Sequence, residues 1–157
     1  MERIASFCVD HTRLERGMYI SRVDGDVVTY DIRMKKPNQG DYLANGALHT
    51  IEHLFATYAR NSAVKDGVIY VGPMGCRTGF YLVAFGELES ADVADLVRRM
   101  FAFIRDFEGE IPGAKPEECG NYHDNDLVQA KWWARRYMTS TLEVLDEAHT
   151  HYPALLD

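Results

Sequence analysis

Residues 46–55 read GALHTIEHLF, and they lie in a segment whose apolar side chains recur at three- and four-residue spacings. This spacing predicts an α-helix from about Ala47 to Asn61. On such a helix His49, Glu52 and His53 share one face, because they are spaced i, i+3 and i+4. Two imidazoles placed in this way can bind one metal ion, and H-x-x-E-H is the inverted zincin motif, whose carboxylate lies beside the metal and moves protons. The alternative is an amphipathic helix with two surface histidines.

The flanking sequence has the composition of strands and further helices. Four segments rich in Tyr, Val, Ile and Phe are expected to be strands: 14–23, 27–34, 68–71 and 81–85. Asp24-Gly25 separates the first two segments and predicts a hairpin. Two more helices are expected, one over about 91–107 and one that begins at a cap, Asp124 or Asn125, and ends near Met138. Residues 1–13 show no regular pattern.

Hairpin spacing between strands, rather than regular alternation of strands and helices, indicates an antiparallel sheet. We therefore predict an α+β fold, with one domain over residues 1–157 in which an antiparallel sheet packs with helices. The metal site is expected on the helix that carries H-x-x-E-H. The segment EGEIPGAKPEECGNYHDN, at 108–125, is long for a loop in a compact domain, and such loops are often functional.

Composition excludes several classes of partner. The chain has 157 residues, a formal net charge of -7 and a pI of about 5.3. An acidic chain without a basic cluster is a poor candidate for binding nucleic acid or an anionic membrane. No apolar run approaches the roughly 20 residues that cross a bilayer, and the first residues lack the apolar region of a signal peptide. We expect a cytoplasmic protein whose Cys8, Cys76 and Cys119 are thiols or metal ligands rather than disulfides.

Two histidines do not complete a metal site, so a third ligand must come from elsewhere in the chain. Cys119 stands out because it lies in the long polar loop, where burial of a structural cysteine is less natural. Other candidates stay open at this point: Glu117, Glu118, Cys76, Glu87, Glu89 and the remaining histidines. Two histidines, one cysteine and an open fourth position are typical of a catalytic rather than a structural site.

Cys76 lies in the segment PMGCRTG, between Gly75 and Gly79 and next to Arg77. A thiol on a tight turn near a cation or a metal can serve as both acid and base near neutral pH. The alternative is a small residue that fills a turn. Four further residues could bind a substrate, although each could equally be a solvated side chain or a member of a local ion pair: Ser6, His11, Arg33 and Arg60.

Five motifs occur in one order along the chain: SFCVDHT (6–12), YDIRMKKPN (30–38), HTIEHL (49–54), PMGCRTGFYL (73–82) and ECGNYHDNDL (118–127). Together they resemble the LuxS family of S-ribosylhomocysteine lyases, and the resemblance covers nearly the whole chain. It implies an α+β homodimer with active sites at the subunit interface. It also implies one Fe(II) per subunit, which Zn or Co can replace, whereas the ligand types alone favour Zn.

The resemblance also implies a role for each candidate residue. The metal ligands that it implies are His49, His53 and Cys119. The acid/base pair that it implies is Glu52 and Cys76. The substrate-binding positions that it implies are Ser6, His11, Arg33 and, as a weaker match, Arg60.

The activity that the resemblance implies is cleavage of the thioether of S-ribosylhomocysteine to homocysteine and 4,5-dihydroxy-2,3-pentanedione, the precursor of autoinducer-2. The carbonyl group migrates along the sugar by proton transfers, and homocysteine then leaves by β-elimination. Two other classes stay open. An inverzincin-like metallopeptidase shares H-x-x-E-H but takes a downstream Glu as its third ligand and does not need Cys76. A metal- or redox-sensing module could use the three cysteines without catalysis.

Overall fold

The computed structural model of the protein describes residues 2–86, 90–153 and 155–156. Within these residues there are four strands and four α-helices. In chain order they are α1 (Ala5–Cys8), β1 (Gly17–Asp24), β2 (Val27–Arg33), α2 (Asn45–Asn61), β3 (Val68–Pro73), β4 (Gly79–Phe85), α3 (Ser90–Asp106) and α4 (Leu127–Ser140). Residues 107–126 connect α3 to α4 without a helix or a strand, as the composition of this segment predicts.

The four strands form one antiparallel sheet in the order β1-β2-β4-β3. Asp24 pairs with Val27, so the tight turn of the first hairpin consists of Gly25 and Asp26. Gly25 has a φ of 58°, a left-handed conformation that glycine adopts without steric cost. The register of β1 against β2 shifts between Ile20 and Arg22, which leaves an extra residue, Ser21, at that point. The prediction of an antiparallel sheet in an α+β fold is confirmed.

One face of the sheet packs against the helices and forms the main core. Helix α2 contacts β3, α3 and α4, and it contributes fully buried apolar side chains at the centre of the core. These residues are Ala47, Ile51, Leu54, Phe55 and Ala59. Because side chains alternate along a strand, Tyr30 and Ile32 of β2 point to the same core. No helix of the described residues is both long enough and apolar enough to cross a membrane.

The other face of the sheet carries polar side chains that are nevertheless buried. Asp31 and Arg33 of β2 are 0% and 3% exposed, respectively. Segments near the two ends of the chain cover this face, and they form a small second apolar cluster of Val9, Leu14, Tyr19 and Tyr152. Tyr19 is the partner of Asp31 across β1 and β2, so the two residues lie side by side on this face.

Most elements begin or end one or two residues away from the predicted positions, and three differences stand out. The segment expected to be irregular contains the short helix α1, and β1 begins at Gly17 rather than at Leu14, whose side chain packs in the second cluster. The cap of α4 is Asp126, whose carboxylate accepts a hydrogen bond from the Gln129 backbone N–H at 2.9 Å. The two residues proposed for this cap instead bond to α2, as described below.

The hydroxyl of Tyr137 in α4 joins the helical layer to the sheet, because it donates to the carbonyl of buried Gly17 at 2.6 Å. Burial raises the pKa of Tyr137 well above its ordinary value, so this hydroxyl keeps its proton. Tyr137→Phe should lower the free energy of unfolding by about 1–3 kcal/mol, because a buried carbonyl loses its donor. Urea unfolding measures the loss. Tyr70→Phe is the control, since Tyr70 is 54% exposed; equal losses in both variants would contradict the role of the Gly17 contact.

Candidate metal centre and the adjoining cavity

Three of the side chains that the sequence singles out meet at one point. His49 and His53 project from α2, and Cys119 comes from the long connection between α3 and α4. One ligand atom from each residue lies within 4.8 Å of the other two. The Cys119 Sγ is 3.4 Å from the His49 Nε2, and the two imidazole rings meet edge to face with their centroids 4.6 Å apart. The prediction that these three residues lie together is confirmed.

Backbone carbonyls set the orientation of both imidazoles. His49 Nδ1 is 2.8 Å from the Asp124 carbonyl oxygen, and His53 Nδ1 is 2.7 Å from the Pro112 carbonyl oxygen. A carbonyl can only accept, so in both rings Nδ1 carries the hydrogen and donates it. The lone pair is therefore on Nε2, the atom that faces the cluster in His49. A hydrogen bond from the second ring nitrogen to a carbonyl is typical of metal-binding histidines.

The first turns of α2 hold the segment that follows Cys119 in the chain. Buried Thr50 donates its hydroxyl to the Asn125 side-chain oxygen at 2.9 Å and accepts from the Asp126 backbone N–H at 3.0 Å. The same Asp126 N–H lies 3.1 Å from the carbonyl oxygen of Gly46. A side chain at Gly46 would meet residues 124–126 at 3.3–3.4 Å, so the absence of Cβ permits this close approach. These contacts fix the loop against the helix that carries the two histidines.

The donor set fits a divalent transition metal. Two imidazole nitrogens and one thiolate suit ions such as Zn(II), Fe(II) and Co(II), and three protein ligands leave a coordination position open. Glu52 lies on α2 between the two histidines, half-buried, and its carboxylate has no hydrogen-bond partner among the described residues. Of the other candidate third ligands, Glu117 and Glu118 are exposed and lie outside the cluster. Glu87 and Glu89 lie outside the described residues.

A second group of the candidate residues lines a cavity of about 220 Å³ on the polar face of the sheet. Ser6 and His11 contribute from the N-terminal segment, Arg33 from β2 and Cys76 from the turn between β3 and β4. The Cys76 Sγ is 3.0 Å from the Thr78 hydroxyl. The structure thus brings four of the predicted site residues together, in addition to the three of the metal cluster.

The cation next to Cys76 is Arg33 rather than its sequence neighbour Arg77. The guanidinium of Arg77 lies over the ring of Tyr42, 5.9 Å from its centroid. Arg33 Nη1 lies 4.0 Å from the Cys76 Sγ and donates to the Thr78 hydroxyl at 2.6 Å. The positive charge expected beside the thiol is therefore present, but it comes from a strand 43 residues earlier in the chain.

A buried ion pair holds Arg33 in this position. The Arg33 Nε and Nη2 donate to the two carboxylate oxygens of Asp31 at 3.0 and 2.5 Å. Burial lowers the pKa of Arg33, but the charge of Asp31 and its hydrogen bonds outweigh burial, so the pKa lies above its ordinary value. The guanidinium is therefore charged at every physiological pH. Its bidentate geometry fixes the direction in which Nη1 points.

Arg60 is not brought into either group. It lies in the last turn of α2, and its guanidinium donates to the Ile69 backbone carbonyl at 2.6 Å. Its side chain is not among those that line the cavity beside Cys76. A role of Arg60 in substrate binding stays a prediction.

Several residues that shape both groups were not found from the sequence. The Thr50 hydroxyl holds Asn125 of the loop, and the Pro112 carbonyl orients His53, and neither contact has a signature in the sequence. The hydrogen bond between Asp31 and Tyr152 joins residues that are 121 positions apart, so no local pattern indicates it. The sequence YDIR did contain a usable indication: an acidic and a basic residue at i and i+2 lie on the same face of a strand.

The fold and the site together define a class of protein: a small α+β protein in which one helix and one loop present two imidazoles and a thiol to a single point. Comparison with known proteins is specific. A model of the family described as S-ribosylhomocysteinase (LuxS) matches residues 4–148. The chain therefore belongs to the LuxS family.

Similar full-length proteins are found in several bacteria. A protein of Phocaeicola vulgatus named S-ribosylhomocysteine lyase is 51% identical to this chain over 98% of both sequences. Proteins with the same name are 49% identical in Porphyromonas gingivalis and 47% identical in Clostridium acetobutylicum, in each case over 98% of this chain and 99% of the relative. The similarity extends over the whole length of these relatives rather than over a single motif.

The loop residue Gly113 lies against His53, which yields a test of how the loop orients this ring. Gly113 has a φ of 75°, and a Cβ there would lie 3.0 Å from the His53 Nδ1, the atom that donates to Pro112. Gly113→Ala should therefore tilt the ring and lower bound metal per chain, by about tenfold in affinity, as expected when a hydrogen bond that orients a ligand is disturbed. Metal content after dialysis against a graded chelator measures the change.

Gly40→Ala is the matched control for this substitution. Gly40 has a φ of 74°, so an alanine there has the same backbone strain, but a Cβ would meet nothing within 4 Å. The variants His49→Ala, His53→Ala and Cys119→Ala each remove a donor and should retain less metal than Gly113→Ala. Equal metal retention by Gly113→Ala and Gly40→Ala would show that the loop does not position His53. Full occupancy in a donor variant would show that the residue concerned is not a ligand.

Proposed function

We propose that this protein is an S-ribosylhomocysteine lyase, a carbon-sulfur lyase that converts S-ribosylhomocysteine to homocysteine and 4,5-dihydroxy-2,3-pentanedione. The observation that carries the proposal is the cluster of His49, His53 and Cys119 in a chain that belongs to the LuxS family. The relatives with this name match the chain from end to end, which supports transfer of the whole activity rather than of one motif. One domain over residues 1–157 is proposed to carry it.

The proposed cofactor is one Fe(II) per subunit, held by His49, His53 and Cys119, with Zn or Co able to replace it. The choice of iron rests on the family, since the donor set accepts all three ions. When bound, such an ion supplies a Lewis acid that polarises a substrate carbonyl and acidifies the adjacent C–H bond. The orientation of both imidazoles by backbone carbonyls supports this role, because it leaves their Nε2 lone pairs free for coordination.

Glu52 and Cys76 are proposed to transfer the protons. One of them removes a proton from the carbon next to the sugar carbonyl, and a proton returned to the former carbonyl carbon completes the shift. Two such shifts move the carbonyl from C1 to C3 of the sugar. Removal of the C4 proton then expels the sulfur from C5 as the homocysteine thiolate, which takes up a proton. The enol that remains gains a proton at C5 and loses its hydroxyl proton, which gives the pentanedione. No electrons are gained or lost overall. The free carboxylate of Glu52 and the charged Arg33 beside Cys76 both support this assignment.

Ser6, His11 and Arg33 are proposed to bind the substrate, together with Arg60. The first three are supported by their position, since they line one cavity with Cys76. The His11 ring is held by a contact of 2.8 Å between its Nδ1 and the Val9 carbonyl oxygen. Its Nε2 is therefore an unprotonated acceptor in the neutral ring, suited to a sugar hydroxyl.

The protein is also proposed to be a homodimer in the cytoplasm, with active sites at the subunit interface. Exposed apolar side chains of the N-terminal segment that carries Ser6 support an interface there, namely Ile4 and Phe7, which are 57% and 67% exposed. Phe7 itself lines the cavity beside Cys76. The three cysteines are free thiols, as a reducing compartment maintains. Sedimentation as a monomer at assay concentration would contradict the dimer.

Thiol release from S-ribosylhomocysteine tests the proposed activity. Anaerobically iron-loaded protein should release homocysteine, and Glu52→Gln and Cys76→Ala should each lower kcat by about 10²–10⁴-fold, because each removes a group that transfers a proton. Both variants should keep their metal. Cys8→Ala and Glu108→Gln are the controls, since they change the same residue types outside the cluster and the cavity.

The same assay separates the alternatives. A folded, iron-loaded protein that releases no homocysteine would contradict the lyase. A metallopeptidase would keep its activity in Cys76→Ala and cleave peptides instead. A metal- or redox-sensing module would bind metal but release no thiol from S-ribosylhomocysteine.

A further inference from the structure

The residues near the C-terminus cover the cavity that contains Cys76. We name residues 150–153 and 155–156 the C-terminal strap. Leu155 forms an isolated antiparallel bridge with Val9, and the Leu156 N–H donates to the Cys8 carbonyl at 2.6 Å. The strap is thereby joined to the segment that carries Ser6 and His11, so both segments close the same side of the polar face.

Tyr152 is the residue through which the strap reaches the centre of the sheet. Its ring stacks on Tyr19 with the two centroids 4.9 Å apart, and its hydroxyl donates to the Asp31 Oδ2 at 2.7 Å. Ser21, the extra residue at the irregularity of β1, lies beside this hydroxyl. Extra residues of this kind change the direction of a side chain within a sheet. Burial, followed by the charge of Asp31, raises the pKa of Tyr152, so its hydroxyl remains a donor.

A continuous chain of contacts leads from Tyr152 to Cys76. Asp31 Oδ2 accepts from both Tyr152 and Arg33, and the other carboxylate oxygen accepts from the Arg33 Nε. Arg33 Nη1 then reaches Thr78 and the Cys76 Sγ. Asp31 is fully buried, so every donor to its carboxylate comes from protein or from enclosed water, and none is replaced freely by bulk solvent.

The hydroxyl of Tyr152 affects Cys76 in two ways. It fixes the orientation of the Asp31 carboxylate. The bidentate ion pair then fixes the guanidinium of Arg33, so that Nη1 stays directed at the thiol. The hydroxyl also stabilises part of the negative charge of Asp31, which otherwise opposes the positive field of Arg33 at the sulfur. Without the hydroxyl, a buried carboxylate loses a donor, and the field at Cys76 becomes less favourable to a thiolate.

We propose that Tyr152 is a positioning residue for Cys76, acting through Asp31 and Arg33, so that the C-terminal strap sets the reactivity of the thiol. This inference rests on the proposed function only where it predicts that Tyr152 affects kcat for homocysteine release. Tyr152 lies outside residues 4–148, which the family model matches. It does not touch the metal cluster among the described contacts, and its effect is transmitted entirely across the polar face of the sheet.

The rate of alkylation of Cys76 tests the proposal without reference to the lyase reaction. Metal-loaded protein is treated with iodoacetamide between pH 6 and 9, and the peptide that contains Cys76 is quantified by mass spectrometry, apart from those of Cys8 and Cys119. Tyr152→Phe keeps the stacked ring and removes only the hydroxyl, so the fold should persist. We expect alkylation at pH 7 to slow by about threefold and the whole profile to move to higher pH, because a thiolate is the reacting form.

Charged and titratable groups around Cys76 determine the controls. Arg33 faces it from β2, and Asp31 lies behind the guanidinium of Arg33. Tyr81 lines the cavity from β4, His11 from the N-terminal segment and Tyr152 from the strap. Because an imidazole changes charge near neutral pH, the comparison is repeated in a His11→Gln background, where the displacement should persist. Tyr137→Phe is the control, since it removes a buried tyrosine hydroxyl whose hydrogen bond goes to Gly17 rather than to Asp31.

The outcomes separate this inference from the proposed function. An alkylation profile in Tyr152→Phe identical to that of the unchanged protein would overturn the inference, as would an equal change in Tyr137→Phe. A displacement that disappears in His11→Gln would also overturn it, because the effect would then pass through the imidazole. If the displacement is found, kcat for homocysteine release should fall in Tyr152→Phe while KM stays the same. A displaced profile in a protein that never releases homocysteine would refute the lyase but leave the positioning of Cys76 intact.

Discussion

Helix α2 both packs in the core and presents the two histidines of the cluster, and the rest of the structure depends on this double role. One face of the helix supplies Ile51, Leu54 and Phe55 to the centre of the core, while the adjacent face presents His49 and His53. Burial of those apolar side chains is worth several kcal/mol, so it fixes the rotation of the helix about its axis. The two imidazoles therefore point toward the same place as a consequence of packing. The loop of Cys119 then only has to be held against this helix, which Thr50 and Gly46 accomplish.

The polar face of the sheet is organised by a different interaction, the buried ion pair of Asp31 and Arg33. A buried pair of charges gains little net stability over an apolar alternative, because desolvation of both ions opposes their attraction. Here the pair has a second effect, since it places a permanent positive charge beside Cys76. The segments near both chain ends cover Asp31 and Arg33 and keep water from them, which strengthens the attraction between the two charges.

Much of the architecture was predictable from local patterns. The hairpin of β1 and β2, the helical period of α2 and the long connection before α4 all appear where spacing and turn residues predict them. Boundaries failed where a tertiary contact outweighed a local preference. Asp124 and Asn125 are good helix caps by residue type. However, the Asp124 carbonyl bonds to His49 and the Asn125 side chain bonds to Thr50, so Asp126 caps the helix instead. Leu14 has the composition of a strand residue, but it packs beneath Tyr19 before β1 begins.

Local patterns are enough to establish the α+β class, the helix that carries His49 and His53, and the residue types that can hold a metal or move a proton. These depend on periodicities of 3.6 and 2 and on the chemistry of side chains, which are local properties. Three contacts emerge only in the folded protein: Cys119 completes the cluster, Arg33 rather than Arg77 lies beside Cys76, and Tyr152 bonds to Asp31, the partner of Arg33. Each of these contacts joins residues far apart in the chain, on surfaces that come together only when the two faces of the sheet are buried. A local sequence pattern does not indicate these contacts, because burial and distance are properties of the folded chain as a whole.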